Sequence, residues 1–174
     1  MKRITLIIIT MLLSIGAFAQ HEYDTEFTQT KLMKISGKTF DKAGHIAYDG
    51  NDKLSMTYTT PEGDYFIIDG DKVKMNMDGK KAELDAEKVP MVKLQRATLL
   101  NCLSGNWQKA AADNNAETTI TEAKGLRTIL LTVKGKVPRG GYSSVELTYR
   151  LSDHKLTKMI LEEPIGTVNT YEIK

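Results

Sequence analysis

Cysteine is almost absent from this 174-residue chain: Cys102 stands alone, so no internal disulfide can form even in an oxidising compartment. Proline occurs four times, and no repeat or low-complexity linker breaks the sequence. The three histidines, His21, His45 and His154, are widely separated and have no Cys or Glu partner at ligand spacing, so no metal site is expected. A basic excess is missing as well. The formal charge of +2 rests on Lys2 and Arg3, and without them 22 basic residues face 22 acidic ones. That balance argues against a nucleic-acid partner, whose phosphates demand a surplus of Lys and Arg.

Long hydrophobic runs are missing after residue 19. The one apolar stretch, Ile4 to Ile15, follows Lys2 and Arg3 and leads into Ala17-Phe18-Ala19, small residues where a signal peptidase reads. The pattern predicts a secretory signal peptide, residues 1–19, cleaved after Ala19. The run is too short to span a bilayer comfortably, and no Cys follows it to carry a lipid. The remaining chain, 20–174, is expected to form a single secreted domain. A domain of that size buries about 68–70% of its unfolded surface and needs no covalent staple.

Catalytic patterns are also lacking. No G-x-S-x-G elbow occurs, and Cys102 sits in the apolar helical context Leu100-Asn101-Cys102-Leu103, which suits a structural thiol. Asp49-Gly50-Asn51-Asp52 lacks the other ligands of a calcium loop. Gly135-Lys136 lacks the upstream glycine and the following hydroxyl of a phosphate loop. The chain is therefore expected not to be an enzyme and to need no cofactor.

What is present is strand patterning. Asp49-Gly50, Asp69-Gly70 and Asp78-Gly79 are hairpin signals, because glycine accepts the positive φ of tight primed turns. Between such turns apolar and polar residues alternate with period two, as in Leu54, Met56 and Tyr58 against Ser55, Thr57 and Thr59. The predicted strands are 24–34, 39–48, 53–60, 64–69, 72–77, 81–85, 116–123, 127–134, 143–152, 155–162 and 166–173. Their short connections imply an antiparallel meander with one apolar face. A single helix is predicted over 88–104, with Pro90 in its first turn and Gly105 just past its end. At 100° per residue Val89, Val92, Leu99, Leu100 and Leu103 share one side, and Arg96 falls among them. The expected fold is mainly β: about eleven strands in one curved sheet with one inserted covering helix.

The apolar face is rich in soft, large side chains: Met56, Met75, Met77, Tyr58, Tyr149 and Leu147. Methionine adapts to many partner shapes. Periodicity alone leaves two readings, an ordinary core under the helix or a ligand cavity. One short helix, however, can hardly cover so many strands.

The order of residues resembles the periplasmic outer-membrane lipoprotein carrier (LolA-like) family. The resemblance runs through Phe27-Thr28-Gln29-Thr30, Gly44, Tyr58-Thr59-Thr60-Pro61 and Tyr65 to Val73 with its Asp69-Gly70-Asp71-Lys72 centre. It continues through Trp107, Leu161-Glu162-Glu163 and Asn169-Thr170-Tyr171. It implies an incomplete, strongly curved antiparallel β-barrel lidded by helices. It also implies a concave cavity that takes acyl chains of lipoproteins or other lipid from an inner-membrane donor to an outer-membrane acceptor. Three features depart from the family pattern. Only Gln20 to Glu26 precede the first strand, too few for a lid helix, and the sequence ends at Lys174, soon after the Tyr171 strand. Where carriers place a strand arginine that bonds to the lid, ungapped counting puts Gly50, and no Arg occurs between Gln20 and Gln95.

The expected function is a monomeric carrier of acylated cargo. Its cavity residues would be Leu54, Met56, Tyr58, Val73, Met75, Met77, Leu147 and Tyr149 from the sheet, and Val92, Leu99 and Leu103 from the helix. Arg96 has two readings: a stem packed with its head in water, or a latch from helix to sheet in place of the missing strand arginine. The alternative function is a protein-binding module whose curved sheet docks a periplasmic or outer-membrane partner. A continuous apolar cavity would favour the carrier, and a filled core with an exposed sheet edge the module.

Overall fold

The computed structural model describes residues 21–138 and 140–174; the predicted signal peptide and its cleavage after Ala19 lie outside the described residues. The strands are β1 (Tyr23–Met33), β2 (Lys38–Tyr48), β3 (Lys53–Thr60), β4 (Glu62–Asp69), β5 (Lys72–Met77), β6 (Lys80–Asp85), β7 (Ala116–Ala123), β8 (Leu126–Val133), β9 (Ser144–Arg150), β10 (Leu156–Glu162) and β11 (Thr167–Ile173). Between β6 and β7 lie two helices, α1 (Pro90–Leu103) and α2 (Trp107–Asp113).

All eleven strands form one antiparallel sheet in the order β6-β5-β4-β3-β2-β1-β11-β10-β9-β8-β7. The meander is thus interrupted only where the helices carry the chain from β6 to β7. The sheet does not close, which makes the fold the expected incomplete, curved barrel. The Asp78-Gly79 turn between β5 and β6 has positive φ at both residues, 54° and 77°, the conformation of a hairpin whose twist matches its strands.

Register converts alternation into a core. Leu54 lies opposite Ile68, and Ile68 opposite Val73; Met56 lies opposite Phe66, and Phe66 opposite Met75. On the other half Ile129 faces Leu147, and Leu147 faces Met159. All of these but Phe66 and Met75, which are partly buried and pack against it, belong to one buried cluster that Leu100, Cys102 and Leu103 of α1 and Ala110 and Ala111 of α2 complete from above.

The single covering helix expected from the sequence is joined by a second. Pro90 opens α1, and Gly105, at φ 80°, follows its C-cap residue Ser104. The chain then turns straight into α2. The inner stripe of α1 is Thr98, Leu100, Cys102 and Leu103. Val89, expected on that side, is instead the exposed N-cap residue, because α1 starts at Pro90 and the residue before a proline is held in extended backbone. Among the described residues no helix precedes β1, which starts at Tyr23.

Candidate functional site

The predicted cavity residues separate into a closed floor and a half-open margin. Leu54, Met56, Tyr58, Val73, Leu147, Tyr149 and Leu103 are all buried in the core cluster. Met75, Met77, Val92 and Leu99 pack against that cluster but stay only partly buried, as do Phe66, Trp107, Tyr142 and Tyr171. The last four were not among the predicted residues. Phe66 could have been found from its place between Met56 and Met75, and Tyr171 from its alternation with Ile173.

Two different kinds of contact hold α1 over this face. Its C-terminal turn is tied from below by buried phenols: Tyr149 donates to the Cys102 carbonyl at 2.7 Å, and Tyr48 to the Leu100 carbonyl at 3.5 Å. Burial pushes the Tyr48 phenol up to about 12 and raises Tyr149 well above its ordinary value, so both remain donors. Burial likewise pushes the Cys102 thiol up to about 12, which keeps it an inert, protonated packing group. The middle of α1 is held by polar contacts at the sheet's turns. Arg96 Nε donates to the Gly70 carbonyl at 2.6 Å, and its guanidinium lies 3.8 Å from the Asp71 carboxylate. Gln95 donates to the Gly140 carbonyl. The Arg96 side chain is 18% exposed, so its head is mostly covered by these contacts.

The inner face ends in a polar network that the sequence reading missed. Lys42 lies 2.7 Å from Asp64 and 3.0 Å from Asp78, and its ammonium stands 5.5 Å from the centroid of the Tyr58 ring. Tyr58 donates to Gln29 Oε1 at 2.7 Å, and Gln29 in turn donates to Asn169 at 3.1 Å. Burial opposes the charge on Lys42, but its hydrogen bonds to Asp64 and Asp78 outweigh that penalty and raise its pKa. The signal was available: Gln29 and Lys42 share the strand phase of buried Phe27 and Ile46.

A cleft of about 310 Å³ opens at the other end of α1, lined by Tyr48, Gly50, Asn51, Leu100, Asn101, Ser104 and Asn106. None of the predicted site residues lines it. Among the described residues no three His, Cys, Asp or Glu side chains converge as metal ligands would, and no helix is long and apolar enough to cross a membrane.

The profile of the family described as outer membrane lipoprotein carrier protein LolA matches residues 20–174. No curated protein matches the chain. Solved structures do. A LolA superfamily protein from Nitrosomonas europaea is 12% identical, covering 89% of this chain and 84% of its own, with a TM-score of 0.41. An uncharacterized conserved protein from Thermus thermophilus is 9% identical, covering 86% and 76%, with a TM-score of 0.43. LprF from Mycobacterium bovis is 12% identical, covering 89% and 85%, with a TM-score of 0.38.

Proposed function

The chain belongs to the outer membrane lipoprotein carrier protein LolA family, and from that premise we propose that it is a periplasmic, non-enzymatic carrier of acyl chains, those of lipoproteins or of another lipid. The observation that carries this reading is the margin of half-buried apolar residues around the core cluster, Met75 and Met77 of β5 and Val92 and Leu99 of α1. A packed core has no need to leave four such side chains partly open on two elements that pack against it. An acyl chain entering there replaces water at roughly 0.8 kcal/mol per methylene, so a dozen contribute roughly 10 kcal/mol before ordering costs. Release therefore requires a cover that moves. The phenol bonds at the C-terminal turn of α1 make that end the fixed one, and Arg96 is the latch to be broken at Gly70 and Asp71. Cargo would come from an inner-membrane donor and pass to an outer-membrane acceptor.

The test is titration of the protein with a fluorescent fatty-acid analogue. Met75→Glu should weaken binding at least tenfold, since a carboxylate must be desolvated beside the chain, while the melting temperature shows the variant still folded. Unchanged affinity in folded Met75→Glu overturns this site. Native mass spectrometry of the purified protein should find co-purified lipid.

A further inference from the structure

We propose that Lys42 is the specificity group of the acyl site, its ammonium taking the neutral carbonyl oxygen at the head of a bound acyl ester. The proposal rests on the carrier reading and says which end of the cargo the protein recognises. Lys42 stands opposite Gln29 on the inner face of the β1–β2 pair. A lysine in such a place ordinarily runs its head out to water. This one does not: its side chain is 10% exposed, and its ammonium is held 5.5 Å from the centroid of the Tyr58 ring, part of the apolar floor. Two acids clamp it there. Asp64 of β4, itself buried, lies 2.7 Å from the ammonium, and Asp78, in the turn after β5, lies 3.0 Å away on the solvent side. Asp64 also accepts the Asp78 backbone N–H at 3.1 Å, which ties the two halves of the clamp together.

Stability does not require this arrangement. Two charges must be desolvated to make it, and an apolar pair of similar volume often serves a fold as well. Its position explains more. Asp78 directly follows Met77, and Met75 and Met77 are the half-open apolar residues of β5. An acyl chain laid along them towards that turn brings its head to Lys42. An ammonium has three N–H donors. Asp64 and Asp78 engage two, and Lys42 has no third acceptor among the described residues. The cargo's carbonyl oxygen supplies one, in a charge-assisted bond. Charge selects a neutral head over an ionised one, because a carboxylate would be the third acid at a single ammonium. Lys31 and Lys80, the other bases on the Asp78 side, act on Asp78 only through space, where water and salt screen them. A free fatty acid enters by its chain alone.

The experiment titrates the purified protein with two fluorescent probes that share one acyl-length chain, a methyl ester and the methyl ether that lacks its carbonyl. The ether is the more apolar, so a cavity without a donor prefers it. Wild-type protein should instead bind the ester about tenfold more tightly, and the ester carbonyl stretch in the infrared should move to lower frequency on binding. The double variant Lys42→Met with Asp64→Leu removes the buried pair without leaving either charge alone. It should lose both the ester preference and the infrared shift while its melting temperature shows it folded. The wild-type comparison decides the case even where the variant does not fold. If neither probe binds, the carrier reading falls and this proposal with it. If both bind and the ether binds as tightly as the ester, the carrier reading stands and the role of Lys42 is overturned. An ester preference that persists in the folded double variant, or a carbonyl stretch that does not shift in wild type, overturns it too.

Discussion

A β-carbon built on Gly44 would stand 2.2 Å from the Thr57 carbonyl oxygen and 2.9 Å from the Tyr58 Cα, both backbone atoms, and 3.0 Å from the Phe27 ring. Backbone cannot swing aside as a side chain can, so Gly44→Ala must open the β2–β3 pair at its irregular register. The cost should be about 3 kcal/mol, the upper part of the range for overpacking. Calorimetry should find the melting temperature down by roughly 6–12 °C; a shift within a degree or two means that β3 yields freely. The sequence shows a glycine in an inward phase, which is a sign of close approach. It does not show the partner, because no local pattern reveals which carbonyl crosses over that spot. The same holds for Lys42 and Gln29. Their inward phase was readable, but only the fold brings Asp64 and Asn169 to them.

At the scale of elements, every strand was legible, since alternation and Asp-Gly turns are local signals that the register then obeys. α1 was legible through its Pro and Gly punctuation. α2 was not, because seven residues built on Ala110, Ala111 and a single Trp107 show no apolar stripe at helical spacing. Nor could a period separate floor from margin: Met56 and Met75 share a face and a chemistry, yet one is buried and the other half-covered. The behaviour expected of α1 itself concerns Arg96. Removing its charge-assisted bond to the Gly70 carbonyl forfeits about 1.5–3 kcal/mol of closure. Arg96→Leu should accordingly speed transfer of bound lipid to acceptor vesicles about tenfold or more, with Arg96→Lys in between, since Lys cannot reproduce the guanidinium fork. Equal rates in all three proteins would reduce Arg96 to a packed stem with a solvated head.

For the whole molecule, burial makes the phenols a collective alkaline limit. Tyr23 and Tyr48 are pushed up to about 12, and Tyr58, Tyr142, Tyr149 and Tyr171 are raised as well, each chiefly by desolvation. In the unfolded chain a phenol releases its proton near 10. The stability these groups contribute is therefore complete below pH 10 and is lost as pH rises from there towards their folded values. Lys42, whose pKa is raised too, acts in the same direction. Urea midpoints should fall steeply above pH 10, and tyrosinate absorbance should rise together with loss of circular dichroism rather than before it. Phenols that ionise one by one in a folded protein would contradict this. The sheet also has a seam. Its two halves, β1 to β6 and β7 to β11, are each contiguous in sequence and share one strand pairing, Phe27 opposite Ile173 through Met33 opposite Thr167, closed off where the Lys174 amide donates to the Glu26 carbonyl at 3.1 Å. Whatever delivers this chain from its amino end, a ribosome or a translocation pore, delivers β1 before and β11 after every other strand of the sheet. Until β11 emerges, β1 has a bare flank and the halves are unjoined, so the fold cannot be completed before its last strand arrives.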